Sequence, residues 1–313
     1  MVDTINLRLC NDNYENSYLT FARNTLERVK ITEYENGCIS VAGKIGNLNV
    51  FITKYSIEIN GGSLCKWYLG DNLQTLYRRD IKNAIEKLSD TLHLNIGNAD
   101  ITRLDIAQNI ILNYPIRLYL KYFGLYAHKL PLTQNLGIYY EHGNETLCFY
   151  DKIEEMKRSG AIIPTIFANE NIMRYEQRYF GRIPQTFELP NFTADMLYKE
   201  KYYIKVLDKW RAAYEAIDKI KDIGSININF ENMKTKKDLY KIAVAALIKN
   251  LGGKNEVINQ INIAAKNEQL TRKQKFDLLE AIEDCANSSE ITFVADFTTE
   301  LDKKIAEAIS YYR

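Results

Sequence analysis

Cysteine is sparse in this chain and forms no pattern. The five residues, Cys10, Cys38, Cys65, Cys148 and Cys285, are odd in number, scattered, and contain no Cys-x-x-Cys pair. A disulfide scaffold and a cysteine-rich zinc site are therefore not expected, and reduced thiols in a cytoplasmic protein are. No apolar run approaches the roughly 20 residues that span a bilayer, so no membrane association is expected. The opening Met1-Val2-Asp3-Thr4 lacks the basic and apolar regions of a secretory signal. Charge of one sign is not in excess either. Lys and Arg total 41 against 40 Asp and Glu, so net charge alone predicts no nucleic-acid or membrane partner. Fixed-period repeats and low-complexity tracts are absent.

What is present is the composition of a globular protein. Of 313 residues, 46% are hydrophobic and 26% charged, enough to build a core and to exclude a fully disordered chain. The length suits roughly two ordinary domains. Charge is unevenly placed along the chain. Residues 234–275 carry ten basic and three acidic side chains, and residues 276–313 carry nine acidic and three basic ones. This shift separates a C-terminal region, residues 226–313, from residues 1–225.

Residues 1–225 read as mixed α and β. Segments 39–42 and 50–54, joined through Gly46, read as a hairpin. After Asp71-Asn72, a candidate N-cap, Leu73, Leu76, Tyr77, Ile81, Ile85, Leu88 and Leu92 recur at helical spacing. Segments 102–107, 146–152 and 172–179 alternate like strands, and a long helix is expected over 198–221. Segment 225–230 reads as a linker or short strand. The C-terminal region reads as helical. An apolar-periodic stretch over 239–251 stops at Gly252-Gly253, a second helix covers 256–266, and Thr271 with Gln274 makes a capping box before a third. Helices with this basic surface suit a helix-turn-helix-like DNA-binding unit, or equally a small bundle with solvated lysines.

Alternate residues of a strand share a face. If the three strand-like segments lie side by side, one face collects Arg103, Asp105, Tyr150, Lys152, Arg174, Glu176 and Arg178. Two carboxylates on one face suit a hard divalent cation, which can polarise a phosphoryl oxygen. A tyrosine is a known protein nucleophile, but near pKa 10 it needs a neighbouring cation or base. Arginine and lysine steady phosphates and developing charge. Such a set suits phosphodiester transesterification through a phosphotyrosine. Taken singly, each element has an ordinary reading: Arg-x-Asp and Arg-x-Glu-x-Arg as salt-bridged surface, and Tyr150 as one of 22 tyrosines.

Four blocks, in order, carry a resemblance. Thr102-Arg103-Leu104-Asp105-Ile106-Ala107 resembles the Ser/Thr-Arg-Ile/Leu-Asp motif of the filamentous-phage gene II/X family and related plasmid replication initiators. Thr146-Leu147-Cys148-Phe149-Tyr150-Asp151-Lys152 is similar to their segment ending in Tyr-Asp/Leu-Lys, whose tyrosine attacks DNA. Met173-Arg174-Tyr175-Glu176-Gln177-Arg178 resembles their Val-Arg-Phe-Glu-x-Arg motif. Gly62-Ser63-Leu64-Cys65-Lys66, followed by Gly70-Asp71-Asn72, looks like a further family block. The resemblance spans about residues 45–215.

The pattern of segments gives an α+β fold, an antiparallel sheet with flanking helices followed by a small all-helical domain, and the resemblance implies that the sheet is related to the HUH endonucleases. The resemblance also implies a rolling-circle replication initiator that nicks one origin strand through a 5′-phosphotyrosine and rejoins it. Tyr150 would be the nucleophile, with Lys152 binding phosphate or moving a proton. Asp105 and Glu176 would be ligands of Mg²⁺ or Mn²⁺ or their supports. Arg103 and Arg174 would orient those carboxylates, while Arg178 and Lys66 complete the phosphate-binding or orienting set. Origin DNA, a host helicase and a host polymerase would be its partners. The absence of a Gly-x₄-Gly-Lys-Ser/Thr loop argues against a built-in helicase. The departure from the wider superfamily is histidine: His93, His128 and His142 form no His-x-His pair. His142 is a candidate third ligand, and Tyr139 and Tyr140 are rival nucleophiles. A mobilisation relaxase with the same chemistry and a non-catalytic DNA-binding copy-number regulator are the competing functions.

Overall fold

Among the described residues ten strands build one sheet, its central strands buried on both faces and its tight turns carrying Gly37, Gly46 and Gly143. The strands are β1 (Val2–Cys10), β2 (Glu27–Glu33), β3 (Ile39–Ile45), β4 (Leu48–Ile52), β5 (Ser56–Asn60), β6 (Asp100–Leu112), β7 (Leu132–Gln134), β8 (Gly137–His142), β9 (Glu145–Asp151) and β10 (Asn171–Phe180). The structure, a computed structural model, describes residues 1–10, 21–22, 24–134, 136–220, 222–223, 234–286, 292–293 and 296–312. The segment 225–230 and the boundary between residues 225 and 226 lie outside the described residues.

Strand order is β2-β3-β4-β5-β1-β6-β10-β9-β8-β7. The order mirrors itself about its centre. β1 is followed by a meander whose last strand, β5, returns to pair with it; β6 is followed by one whose last strand, β10, does the same. β1 and β6 join the two halves antiparallel. The expected hairpin is β3–β4, turning at Gly46 with φ +59°. The three strand-like segments are β6, β9 and β10, and they are neighbours, with β10 between the other two.

Helices α1 (Leu64–Leu69), α2 (Arg78–Leu92), α3 (Ile116–Leu120), α4 (Lys152–Ser159), α5 (Ile183–Thr186) and α6 (Glu200–Glu215) are interleaved with the strands. α2 starts later than its periodicity suggests. The Asp71 carboxylate accepts from the Leu73 and Gln74 backbone N–H groups at 2.9 and 3.1 Å and closes a turn instead. Leu76 then bridges to Val2, which keeps the segment extended. The helix begins where the Tyr77 backbone N–H donates to Asp80 Oδ2 at 3.0 Å. Lys152, expected as a strand residue, opens α4, because the Asp151 carboxylate accepts from Glu154 N–H and caps a helix there.

On one sheet face the Tyr175 ring stacks on Phe149 and on Trp210 of α6, with centroids 4.4 Å apart in both contacts. The Tyr175 hydroxyl donates to the Trp210 carbonyl at 2.9 Å. Large buried aromatic area and the bonded Tyr175 hydroxyl fix α6 to this face, although the Trp210 indole N–H makes no hydrogen bond. α6 is shorter than the expected 198–221. Beyond it, Asp218 and Ile220 N–H groups donate to the Leu125 and Tyr122 carbonyls, both at 2.8 Å, so backbone pairing replaces helix.

The chain falls into two compact units. One comprises Met1–Asn113, Thr133–Glu215 and the residues from Lys304 on; the other comprises Tyr114–Leu132 and Ala216–Lys303. In the second, α7 (Lys236–Asn250), α8 (Lys254–Lys266) and α9 (Arg272–Ala286) enclose Ile248, Val257, Ile258, Ile282 and Cys285. Gly252 and Gly253, at φ +92° and +105°, turn the chain between α7 and α8, a conformation that an L side chain resists. The capping box before α9 is formed: Thr271 N–H donates to Gln274 Oε1 at 2.9 Å, and Gln274 N–H to Thr271 Oγ1 at 3.2 Å. A last helix, α10 (Asp296–Tyr312), follows. All five cysteines are free thiols. No helix among the described residues is long and apolar enough to cross a membrane.

Candidate active site

Register decides which side chains meet. Opposite residues in antiparallel strands point to the same face. Arg178 stands opposite Asp105 and Thr146; Glu176 stands opposite Ala107 and Cys148; Arg174 stands opposite Asn109 and Tyr150. On the next strand Gly137 faces Tyr150 and Tyr139 faces Cys148. Asp105, Tyr150, Arg174, Glu176 and Arg178 therefore share one face, opposite to the stacked aromatics.

The side chains are tied to one another. Arg103 grips Asp105 with two parallel bonds, Nε to Oδ1 at 2.9 Å and Nη2 to Oδ2 at 2.6 Å. Arg178 Nε donates to Glu176 Oε1 at 3.1 Å, and Arg174 Nε lies 3.5 Å from Glu176 Oε2. The Tyr150 hydroxyl donates to the same Oε2 at 3.3 Å. Asp105, Arg174 and Glu176 are buried, whereas Arg103 and Arg178 each keep 30% of their side chain exposed. Fork-shaped guanidinium–carboxylate pairs fix position as well as charge.

Burial and charge set different proton affinities for the two carboxylates. Asp105 is pushed up to about 6 by burial, with the Glu176 charge adding to it and the Arg103 guanidinium only partly offsetting it. Glu176 feels burial too, but Arg174, Arg178 and the Tyr150 hydroxyl together hold it below the ordinary carboxylate value. Burial raises the Tyr150 phenol well above 10, opposed by the Arg174 charge. The free protein thus holds a protonated phenol hydrogen-bonded to an ionised carboxylate.

Lys152 is buried at the start of α4, and its ammonium bonds Glu155 at 2.6 Å. The Glu155 charge adds a little to the upward push on the Tyr150 phenol. Lys66 is exposed on α1. Its block contributes through other atoms: the Asn72 carbonyl accepts from Arg174 Nη1 at 3.1 Å, and Ser63 Oγ donates to Asp3 Oδ1 at 3.0 Å.

The rival residues separate by face. Tyr140 is buried on the aromatic face, opposite Leu147, while Tyr139 is half-buried on the Tyr150 face. His142 stands opposite Glu145, on the Tyr140 face, and so points away from Asp105 and Glu176. His93 packs edge-on against Phe21. Among the described residues no three His, Cys, Asp or Glu side chains form a group that could hold a metal ion. Asp105 and Glu176 carry the oxygen donors that a hard cation prefers, and each is paired with guanidinium groups. A cation there would share each carboxylate with a guanidinium.

Three contributors escaped the sequence reading. Asp3 reaches this face from β1 and Asn109 from β6, and both bond Arg174. Gly137 is the third. A Cβ there would lie 2.1 Å from the Phe149 carbonyl oxygen and 2.6 Å from the Tyr150 Cβ, so only glycine lets β8 pass. A glycine inside a strand pattern signals such close approach.

The phage family profile that describes the N-terminal part of a replication-associated protein matches residues 1–213. The chain belongs to this replication-associated family. The matched region contains Asp3, Asp105, Tyr150, Lys152 and Glu176. No curated protein matches the chain. Among solved structures, a rolling circle replication initiator protein from Geobacillus stearothermophilus is similar at a TM-score of 0.41 and 13% identity, covering 78% of this chain and 95% of that one.

Proposed function

We propose that the protein initiates rolling-circle replication by nicking one strand of an origin with Tyr150 and later rejoining it. The observation that carries this is the Tyr150 hydroxyl bonded to Glu176 at 3.3 Å, inside a cluster of three arginines, within the region that matches the replication-associated family. A buried, protonated phenol must lose its proton as it attacks, and Glu176 Oε2 is within reach of it. In the forward step the Tyr150 oxygen bonds to the scissile phosphorus and its proton leaves by way of Glu176 Oε2 to solvent, because Arg174 and Arg178 keep Glu176 ionised. The P–O3′ bond breaks, and the 3′ oxygen leaves with the bonding pair and takes up a proton from solvent. The products are a 5′-phosphotyrosine and a free 3′-OH that a host polymerase extends, behind a host helicase. Reversal by a later 3′-OH rejoins the strand, and because the covalent link conserves the phosphodiester energy no ATP is consumed.

Arg103 and Arg178 keep part of their surface open and would meet the phosphate oxygens, whose developing charge they stabilise. Lys152 would neutralise charge beside the phenol. Mg²⁺ or Mn²⁺, held by Asp105 and Glu176, would polarise a phosphoryl oxygen. The basic surface of α7 to α9 would bind the double-stranded origin.

The test compares wild type with Tyr150→Phe and Tyr139→Phe on supercoiled origin plasmid, with Mn²⁺ or Mg²⁺ and with a chelator. Nicking with protein trapped on the 5′ end, lost only in Tyr150→Phe, is expected. Cleavage surviving in Tyr150→Phe but lost in Tyr139→Phe moves the nucleophile one strand over. Origin binding without cleavage by wild type makes the protein a replication regulator instead.

A further inference from the structure

We propose that Asp3 is a positioning residue of this site, holding the Arg174 guanidinium in place beside Tyr150 and Glu176. The inference rests on the reading of Tyr150 as the nucleophile. It begins with a defect in the sheet. Val2 pairs with Ile106 and Thr4 with Asp105, so β1 carries one extra residue, Asp3, at a bulge. A bulge re-aims a side chain, and here the freed carboxylate points across β6 to β10. Its Oδ1 lies 2.9 Å from Arg174 Nη2.

The carboxylate is itself held. Ser63 Oγ donates to Oδ1 at 3.0 Å and Thr4 Oγ1 donates to Oδ2 at 3.1 Å. Arg174 is gripped on its other edge as well. Nη1 donates to the Asn72 carbonyl at 3.1 Å and to Asn109 Oδ1 at 3.2 Å, which leaves Nε turned to Glu176. Both Nη groups of this buried guanidinium are thus hydrogen-bonded or ion-paired, while Nε makes an ion pair with Glu176 but no hydrogen bond. Such an arrangement fixes orientation more than it adds stability, because desolvation consumes much of the Coulombic gain.

Charge and position make opposite predictions here. Removing the Asp3 charge leaves Arg174 more positive toward a developing phenolate, which on electrostatics alone speeds attack. Loosening Arg174 lets it drift, and misplacement of about 1 Å costs on the order of 100-fold in rate. Positioning therefore predicts a slower enzyme.

The decisive measurement is single-turnover nicking of an origin-derived single strand at saturating DNA. Asp3→Asn is expected to cut the rate about 10- to 100-fold with DNA affinity changed less than about twofold, and Asp3→Glu to restore part of the loss. A rate unchanged or raised in Asp3→Asn, or a fall in affinity that matches the fall in rate, overturns the proposal. Should Asp3→Asn not fold, Thr4→Val frees one Asp3 oxygen, and a smaller slowing of the same kind is expected; an unchanged rate overturns it. A separate arm does not depend on nicking. In Tyr150→Phe protein, the ¹⁵Nε–H signal of Arg174, identified by its loss in Arg174→Lys, is expected to be protected from exchange and to lose that protection when Asp3→Asn is added. If wild type never nicks, the reading of Tyr150 falls, and persistence of that signal in Asp3→Asn still decides against the anchor.

Discussion

Tyr150 and Glu176 meet across a strand boundary as diagonal neighbours: Tyr150 stands opposite Arg174, Glu176 opposite Cys148, and the phenol donates to Oε2 at 3.3 Å. The contact depends on the register of β9 on β10. A slip by one residue would send Tyr150 to the aromatic face and Phe149 to the carboxylate. The catalytic reading and the fold therefore stand or fall on the same pairing.

That dependence makes Gly137 testable. Gly137→Ala places a methyl group 2.1 Å from the Phe149 carbonyl oxygen and 2.6 Å from the Tyr150 Cβ. Overpacking of this kind typically costs about 1–3 kcal/mol, and it is expected here together with impaired nicking. Thermal melts and a cleavage assay on the same sample check both. Wild-type values in each would show that β8 can shift aside.

Glu176→Gln leaves Arg174 and Arg178 without their shared counter-charge. Breaking one member of a buried ion network costs roughly 3–5 kcal/mol. The exposed pair Lys205–Glu188, at 3.5 Å, is the control, and Glu188→Gln is expected to change stability by less than about 1 kcal/mol. Urea unfolding of the two variants measures the contrast.

Asp105 gives a pH signature. Its carboxyl titrates near 6 in the folded protein against an ordinary value of 3.8, so the folded state favours the protonated form. The stability from that preference is complete below about pH 3.8 and is lost as pH rises through about 6, on the order of 3 kcal/mol in all. Asp105→Asn lacks the titration. In chelator-containing buffer, wild type is expected to lose stability relative to Asp105→Asn between pH 4 and 6. Parallel melting curves across that range would refute the raised proton affinity.

The basic helices carry a prediction about DNA. Lys236 and Lys237 are exposed at the start of α7. If they neutralise origin phosphates, replacing both with Gln lowers the slope of log affinity against log salt by about 1 for each phosphate no longer neutralised. Filter binding over a salt series reads it, and an unchanged slope would assign these lysines to solvated surface.

Much of this was legible in short stretches of chain. The alternations in 102–107, 146–152 and 172–179 are local, and so are Gly252-Gly253 and the Thr271–Gln274 box; each is fixed by neighbours a few residues away. Misreadings came where distant groups competed with local preference. Leu73 and Leu76 fit a helical period, yet the Asp71 turn and the bridge to Val2 hold them extended. Residues past Glu215 lost their helix to backbone pairing with Tyr122 and Leu125.

The sequence by itself determined the residue types of the site and their alternation, because side-chain direction along a strand follows from backbone geometry alone. Tertiary structure decided the rest. Strand pairing put Tyr139 on the Tyr150 face and turned Tyr140 and His142 from it, since facing depends on register between strands, which no single segment encodes. It also brought in Asp3, which lies 171 positions from Arg174 in sequence and 2.9 Å away in space, through one extra residue in β1. A bulge is a relation between two strands, and only their pairing reveals it.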